Sequence, residues 1–151
     1  MNRSIKHLFI VGLLAFVSTN AFAAGFFDGF SGSNHSLQTF TNRFNEIRND
    51  GNITWEYWGS FARSTHSLQT FTNRLNEIRN AGNVTWEYWG IFAGSTHSLQ
   101  TFTSRLNEIR NAGNISWEYW GSFAGSTHSL QTFTNRFNEI RSAGNISWEY
   151  W

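Results

Sequence analysis

The chain has 151 residues, a formal net charge of +1, 18% aromatic residues, and neither cysteine nor proline. Without cysteine there is no disulfide framework, so core packing or assembly has to hold the fold together. The balanced charge excludes the cationic excess that phosphate-backbone or polybasic membrane binding needs, so no nucleic-acid partner is expected.

Residues 1–24 have the order of a secretory signal peptide: basic Arg3 and Lys6, an apolar run from Leu8 to Val17, then small residues at Ala21, Ala23 and Ala24. The run is shorter than the roughly 20 residues a membrane span requires, and no second one follows, so the chain is not expected to be an integral membrane protein. Cleavage near Ala23/Ala24 would deliver the protein to the periplasm or medium of a bacterium. The leader takes with it Arg3 and the only lysine, leaving nine arginines against ten carboxylates.

Beyond the leader, the string SLQTFTNRLNEIRNAGNVTWEYWGIFAGSTH (67–97) recurs from Ser36, Ser98 and Ser129 with a period of 31 residues. A fixed period of this length marks a tandem repeat, in which each copy is one supersecondary unit that buries its apolar face against the next. Residues 25–35 align with the tail half of the unit, and 36–151 hold four copies, the last truncated.

In the first half of the unit, Leu68, Phe71, Leu75 and Ile78 fall on one helical stripe with polar residues between them. A helix is predicted over about 66–80, capped by Thr65 (Asn34 in the first copy) and ended by a left-handed Gly82. Arg74 and Glu77, three apart, are expected to pair on the wet face.

The second half fits two templates. As a helix capped by Thr85, it gathers Trp86, Tyr88, Trp89, Phe92 and Ala93 into one arc, with Val84 stapled onto Trp89. As a strand, it alternates Val84, Trp86, Tyr88 and Phe92 on one face. In-register parallel strands would stack Glu56, Glu87, Glu118 and Glu149 in a like-charge ladder. The predicted fold is therefore all-α, an array of four 31-residue helix-turn-helix repeats, with an α/β solenoid carrying WEYW as its strand as the alternative. The segment NDGNITWEYW also resembles the second half of an EF-hand loop and its exiting helix. Calcium ligation does not carry over, because Arg48 and Tyr57 stand at ligand positions of that loop.

Chemistry-bearing residues are sparse. His35, His66, His97 and His128 recur once per unit, too far apart to share an ion, and are expected to lie on the surface at helix starts. Ser67 and Glu77 form no triad with them, and no catalytic residue, cofactor or metal is expected. Asn52, Asn83, Asn114 and Asn145 match the N-glycosylation acceptor, although a capping role already accounts for the Thr or Ser two residues on.

The WEYW cluster supplies the candidate binding residues, an aromatic row of Trp55, Trp86, Trp117 and Trp148 with Trp58, Trp89, Trp120 and Trp151. These indoles serve a core, or one per unit stays exposed to stack on a glycan or peptide, with arginine edges adding cation–π contacts. In the helix template the outward member is Trp86; in the strand template it is Trp89. The expected function is extracytoplasmic binding or assembly without catalysis, with a fibre or matrix subunit and a precursor of repeated peptides as alternatives. The tail half at 25–35 and the front half at 146–151 are complementary, which suggests head-to-tail self-association.

Overall fold

The structure, a computed structural model, describes Phe26 and residues 29–143. Each of the first three copies is a long helix, a 3-10 turn and a short helix, the fourth is described through its long helix, and the described residues hold no strand. The long helices are α1 (Leu37–Asp50), α3 (Leu68–Ala81), α5 (Leu99–Ala112) and α7 (Leu130–Ala143). The short ones are α2 (Trp58–Arg63), α4 (Trp89–Gly94) and α6 (Trp120–Gly125), preceded by 3-10 turns at Trp55–Tyr57, Trp86–Tyr88 and Trp117–Tyr119. The described residues thus form an all-α repeat array, and the strand alternative is not formed among them. The chain divides into two compact units, one ending at Thr72 and the other beginning at Asn73.

The long helices start two residues later than the sequence pattern predicts, because serine rather than threonine caps them. Ser36 has extended backbone (φ −62°, ψ 154°) and its hydroxyl accepts from the Thr39 N–H at 3.2 Å. Ser67, Ser98 and Ser129 accept from Thr70, Thr101 and Thr132 in the same way. Each such bond satisfies one of the N–H groups that the first helical turn leaves orphaned. At the other end Gly51, Gly82 and Gly113 take φ of 71°, 69° and 67°, a left-handed conformation that costs glycine little.

WEYW begins neither as a strand nor directly as an α-helix. Thr85 is extended but its side chain makes no capping bond, and the same is true of Thr54 and Ser116. The chain closes instead through backbone 3-10 bonds, with Tyr88 N donating to Thr85 O at 3.1 Å. Six-residue helices are too short to persist alone. Burial holds them: Phe61, Ala62, Phe92, Ala93, Phe123 and Ala124 are fully buried.

In the first unit, Phe26, Phe40, Phe44 and Ala62 form a core with Phe30 and Trp58 against it. Phe61 of α2 meets Phe71 of α3 edge to face at 5.4 Å. The second unit has two cores, one around Ile78, Phe92, Phe102, Leu106 and Ala124, the other around Ile109, Ile115 and Phe123. Here Phe92–Phe102 and Phe123–Phe133 repeat the 5.4 Å edge contact, so the short helix of one copy is seated on the long helix of the next. Each such pair contributes about 0.5–1.5 kcal/mol beyond its buried area. Three of the four residues of the expected stripe are buried, Phe71 and Ile78 inaccessible and Leu75 nearly so, while Leu68 at the helix start is half-buried. α4 and α6 touch closely at Gly121, where an added Cβ would lie 2.6 Å from Ile91 Cδ1 and 2.8 Å from Tyr88 Cδ1.

Candidate functional site

The two tryptophans of each WEYW motif have different environments. Trp58, Trp89 and Trp120, which open the short helices, are half-buried, and their indole N–H groups donate to Ile53 O (2.8 Å), Val84 O (2.9 Å) and Ile115 O (2.9 Å). Val84 and Trp89 both pack on the same core, so the expected staple forms and gains a hydrogen bond. Trp55, Trp86 and Trp117, which open the 3-10 turns, are 50%, 56% and 55% exposed. The outward indole is thus the one the helical template singles out. Trp148 and Trp151 lie outside the described residues.

Each outward indole is followed by an exposed carboxylate, Glu56, Glu87 or Glu118. Within the second unit, Tyr88 Oη donates to Trp117 O at 3.0 Å, tying one turn to the next. Burial raises the Tyr88 pKa above its ordinary 10.0; Glu87 and Glu118 reinforce the shift and Arg110 opposes it. The expected cation–π partner falls on the inner ring instead: Arg110 Cζ stands 5.8 Å from the centroid of Trp120.

Arg74 is not the wet-face partner of Glu77 that helix spacing predicts. Its guanidinium lies 4.1 Å above the Phe92 ring and donates to Phe92 O (2.8 Å), Ala93 O (3.2 Å), Ser95 Oγ (3.4 Å) and His97 O (2.7 Å). Arg43 treats Phe61, Ser64 and His66 alike, and Arg105 does the same to Phe123, Ser126 and His128. Apart from the serine hydroxyl, these acceptors are carbonyls at and just beyond the end of the short helix, where positive charge also suits the helix dipole. Burial lowers the pKa of all three arginines, with Glu46, Glu77 and Glu108 respectively acting against it. The clamp is imperfect in two copies, since Arg43 Nε and Arg105 Nε are buried without a hydrogen-bond partner, whereas Arg74 Nε reaches Ala93 O.

The histidines are half-buried rather than on the surface. His35 Nε2 and His97 Nε2 each bond a serine carbonyl in the following copy, Ser64 O at 2.8 Å and Ser126 O at 2.7 Å. Among the described residues no group of three or more metal-ligating side chains converges. No helix among them is long and apolar enough to cross a membrane. Asn52, Asn83 and Asn114 are exposed, and the capping explanation for the hydroxyl two residues on does not hold, because Thr54, Thr85 and Ser116 cap nothing with their side chains. No family model, curated protein or solved structure matches the chain.

Proposed function

We propose that the chain is an exported, non-enzymatic repeat protein that binds a glycan through the outward indoles of Trp55, Trp86 and Trp117. The observation that carries this reading is the split within WEYW: one indole is hydrogen-bonded against the core, and its neighbour three residues earlier is left half in water. An exposed indole forgoes on the order of 2 kcal/mol of burial, and indole is an amphipathic ring suited to flat, partly wet contacts. The adjacent glutamates give each ring a carboxylate that can accept hydroxyl hydrogens from a sugar lying on the indole face.

Export follows from the leader. Intact-mass measurement of protein from the envelope or medium should give a chain starting at Ala24 or Gly25, and recovery of the chain from the cytoplasm with Met1 in place would contradict it. Binding is tested by titrating the protein with a panel of soluble neutral oligosaccharides while following tryptophan fluorescence. Saturable quenching that is lost in a Trp86→Ala, Trp117→Ala double variant supports the reading. Absence of binding across the panel, or binding untouched by the double variant, refutes it.

A further inference from the structure

We infer that residues 30–35 form a guanidinium-binding site, and that its ligand is Arg136 of a second copy of this chain. The site is a fourth version of the arginine clamp. Phe61, Phe92 and Phe123 are each fully buried beneath an arginine, whose Cζ stands 4.2, 4.1 and 4.0 Å from the ring centroid. Phe30 packs on Phe40 with its centroid 5.4 Å away, the spacing of Phe61–Phe71, yet it is only half-buried. The clamping arginine stands 18 residues ahead of its phenylalanine in all three clamps. Ahead of Phe30 that position is Gly12, a glycine within the segment that reads as a leader, and not an arginine.

The acceptors around Phe30 have the arrangement of those that hold the three arginines. Ser33 N donates to Phe30 O at 3.0 Å, the distance of the matching bonds at Ser64 and Ser126. His35 N donates to Ser33 Oγ at 3.0 Å as His128 N does to Ser126 Oγ at 3.3 Å, and His35 Nε2 is tied to Ser64 O just as His97 Nε2 is to Ser126 O. Phe30 O, Ser33 Oγ and His35 O therefore present the acceptor set that Arg43 finds at Phe61, Ser64 and His66. Such a fork of charge-assisted bonds above a ring selects arginine over lysine.

Arg136 is the matching donor. It holds the position of Arg43, Arg74 and Arg105 in the repeated long helix, but where those three are half-buried it is exposed, with Nη1 3.3 Å from His128 Nε2. A donor on one copy and a receiver on another make a heterologous contact, which propagates head to tail. This inference does not require the outward tryptophans to bind anything.

The test is sedimentation velocity of the mature chain over a concentration series, with circular dichroism to confirm that each variant folds. The intact chain should grow into oligomers with concentration. Arg136→Gln, Arg136→Lys and Ser33→Arg should each raise the dissociation constant at least about tenfold. Mixing Arg136→Gln, which keeps the receiver, with Ser33→Arg, which keeps the donor, should restore one junction and yield a dimer of one of each. If Ser33→Arg fails to fold, Phe30→Leu replaces it. A chain that stays monomeric throughout, an Arg136→Gln variant that assembles as the intact chain does, or a mixture no larger than its components overturns the inference.

Discussion

Arg74 and Arg79 lie five residues apart on α3, and the sequence pattern places both on the polar face; the structure predicts opposite outcomes for their loss. Replacing Arg74 by Gln removes donors to Phe92 O (2.8 Å), Ala93 O (3.2 Å) and His97 O (2.7 Å). Phe92 O keeps the Ser95 N–H and hydroxyl, at 3.0 and 2.9 Å, so the loss concentrates on the other two carbonyls. A hydrogen bond from a charged group contributes about 1.5–3 kcal/mol, and the ring contact adds ~0.5–2 kcal/mol. Because the guanidinium is only half-buried, water recovers part of this, and a net loss of about 2–4 kcal/mol is expected, a large share of a typical total of 5–15 kcal/mol. Arg79 is exposed and bonds only Asn76 Oδ1, so Arg79→Gln should change stability by less than about 0.5 kcal/mol. Urea unfolding followed by circular dichroism measures both; guanidinium chloride would compete with the clamp. Arg74→Lys keeps the charge but not the fork and should recover little of the loss. Equal midpoints for Arg74→Gln and Arg79→Gln, or full rescue by lysine, would refute the clamp.

Leu75→Asp should destabilise by several kcal/mol, since it puts an unpaired carboxylate on the buried stripe, while Gln69→Asp on the exposed face should be nearly neutral; comparison of melting temperatures checks the pair. Gly82→Ala should cost about 1 kcal/mol from backbone strain alone, because φ is 69° and nothing lies within 4 Å of an added Cβ; a neutral result in urea unfolding would show that the helix end relaxes. The folded-state pKa of Tyr88 lies above its ordinary 10.0, so the unfolded chain ionises first and stability falls as pH rises through about 10. Urea midpoints measured from pH 8 to 11 should decline less steeply in Tyr88→Phe than in the intact chain, and identical slopes would contradict that assignment.

The 31-residue period, the Leu-Phe-Leu-Ile stripe and Gly82 were enough to read the long helix, because burial there follows the 3.6-residue period and a left-handed end needs glycine. The helix starts two residues later than the pattern predicts because Thr65 and Ser67 are equally good caps by residue type, and only the backbone decides which hydroxyl reaches an orphan N–H. The nature of WEYW stayed open between helix and strand. What settles it is the tertiary support of the short helix by buried Phe92 and by Arg74, and that support is not visible in local propensity. Periodicity places Arg74 among polar residues, and its acceptors lie 18 to 23 positions away, beyond the reach of a local pattern. A signal does exist, an arginine in three copies followed at constant distance by Phe-x-x-Ser-x-His, but copies so nearly identical make every position look equally constant.

The division of tryptophans into an outward and an inward set is the claim on which both the helical repeat and the proposed binding surface depend. Hydroxyl-radical footprinting of the folded chain, read residue by residue by mass spectrometry, tests it directly. Trp55, Trp86 and Trp117 should oxidise quickly, while Trp58, Trp89 and Trp120, half-buried with their indole N–H groups bonded to carbonyls, should be protected until the chain is unfolded in urea. Equal rates for the two sets in the folded chain, or faster oxidation of Trp58, Trp89 and Trp120, would contradict the account.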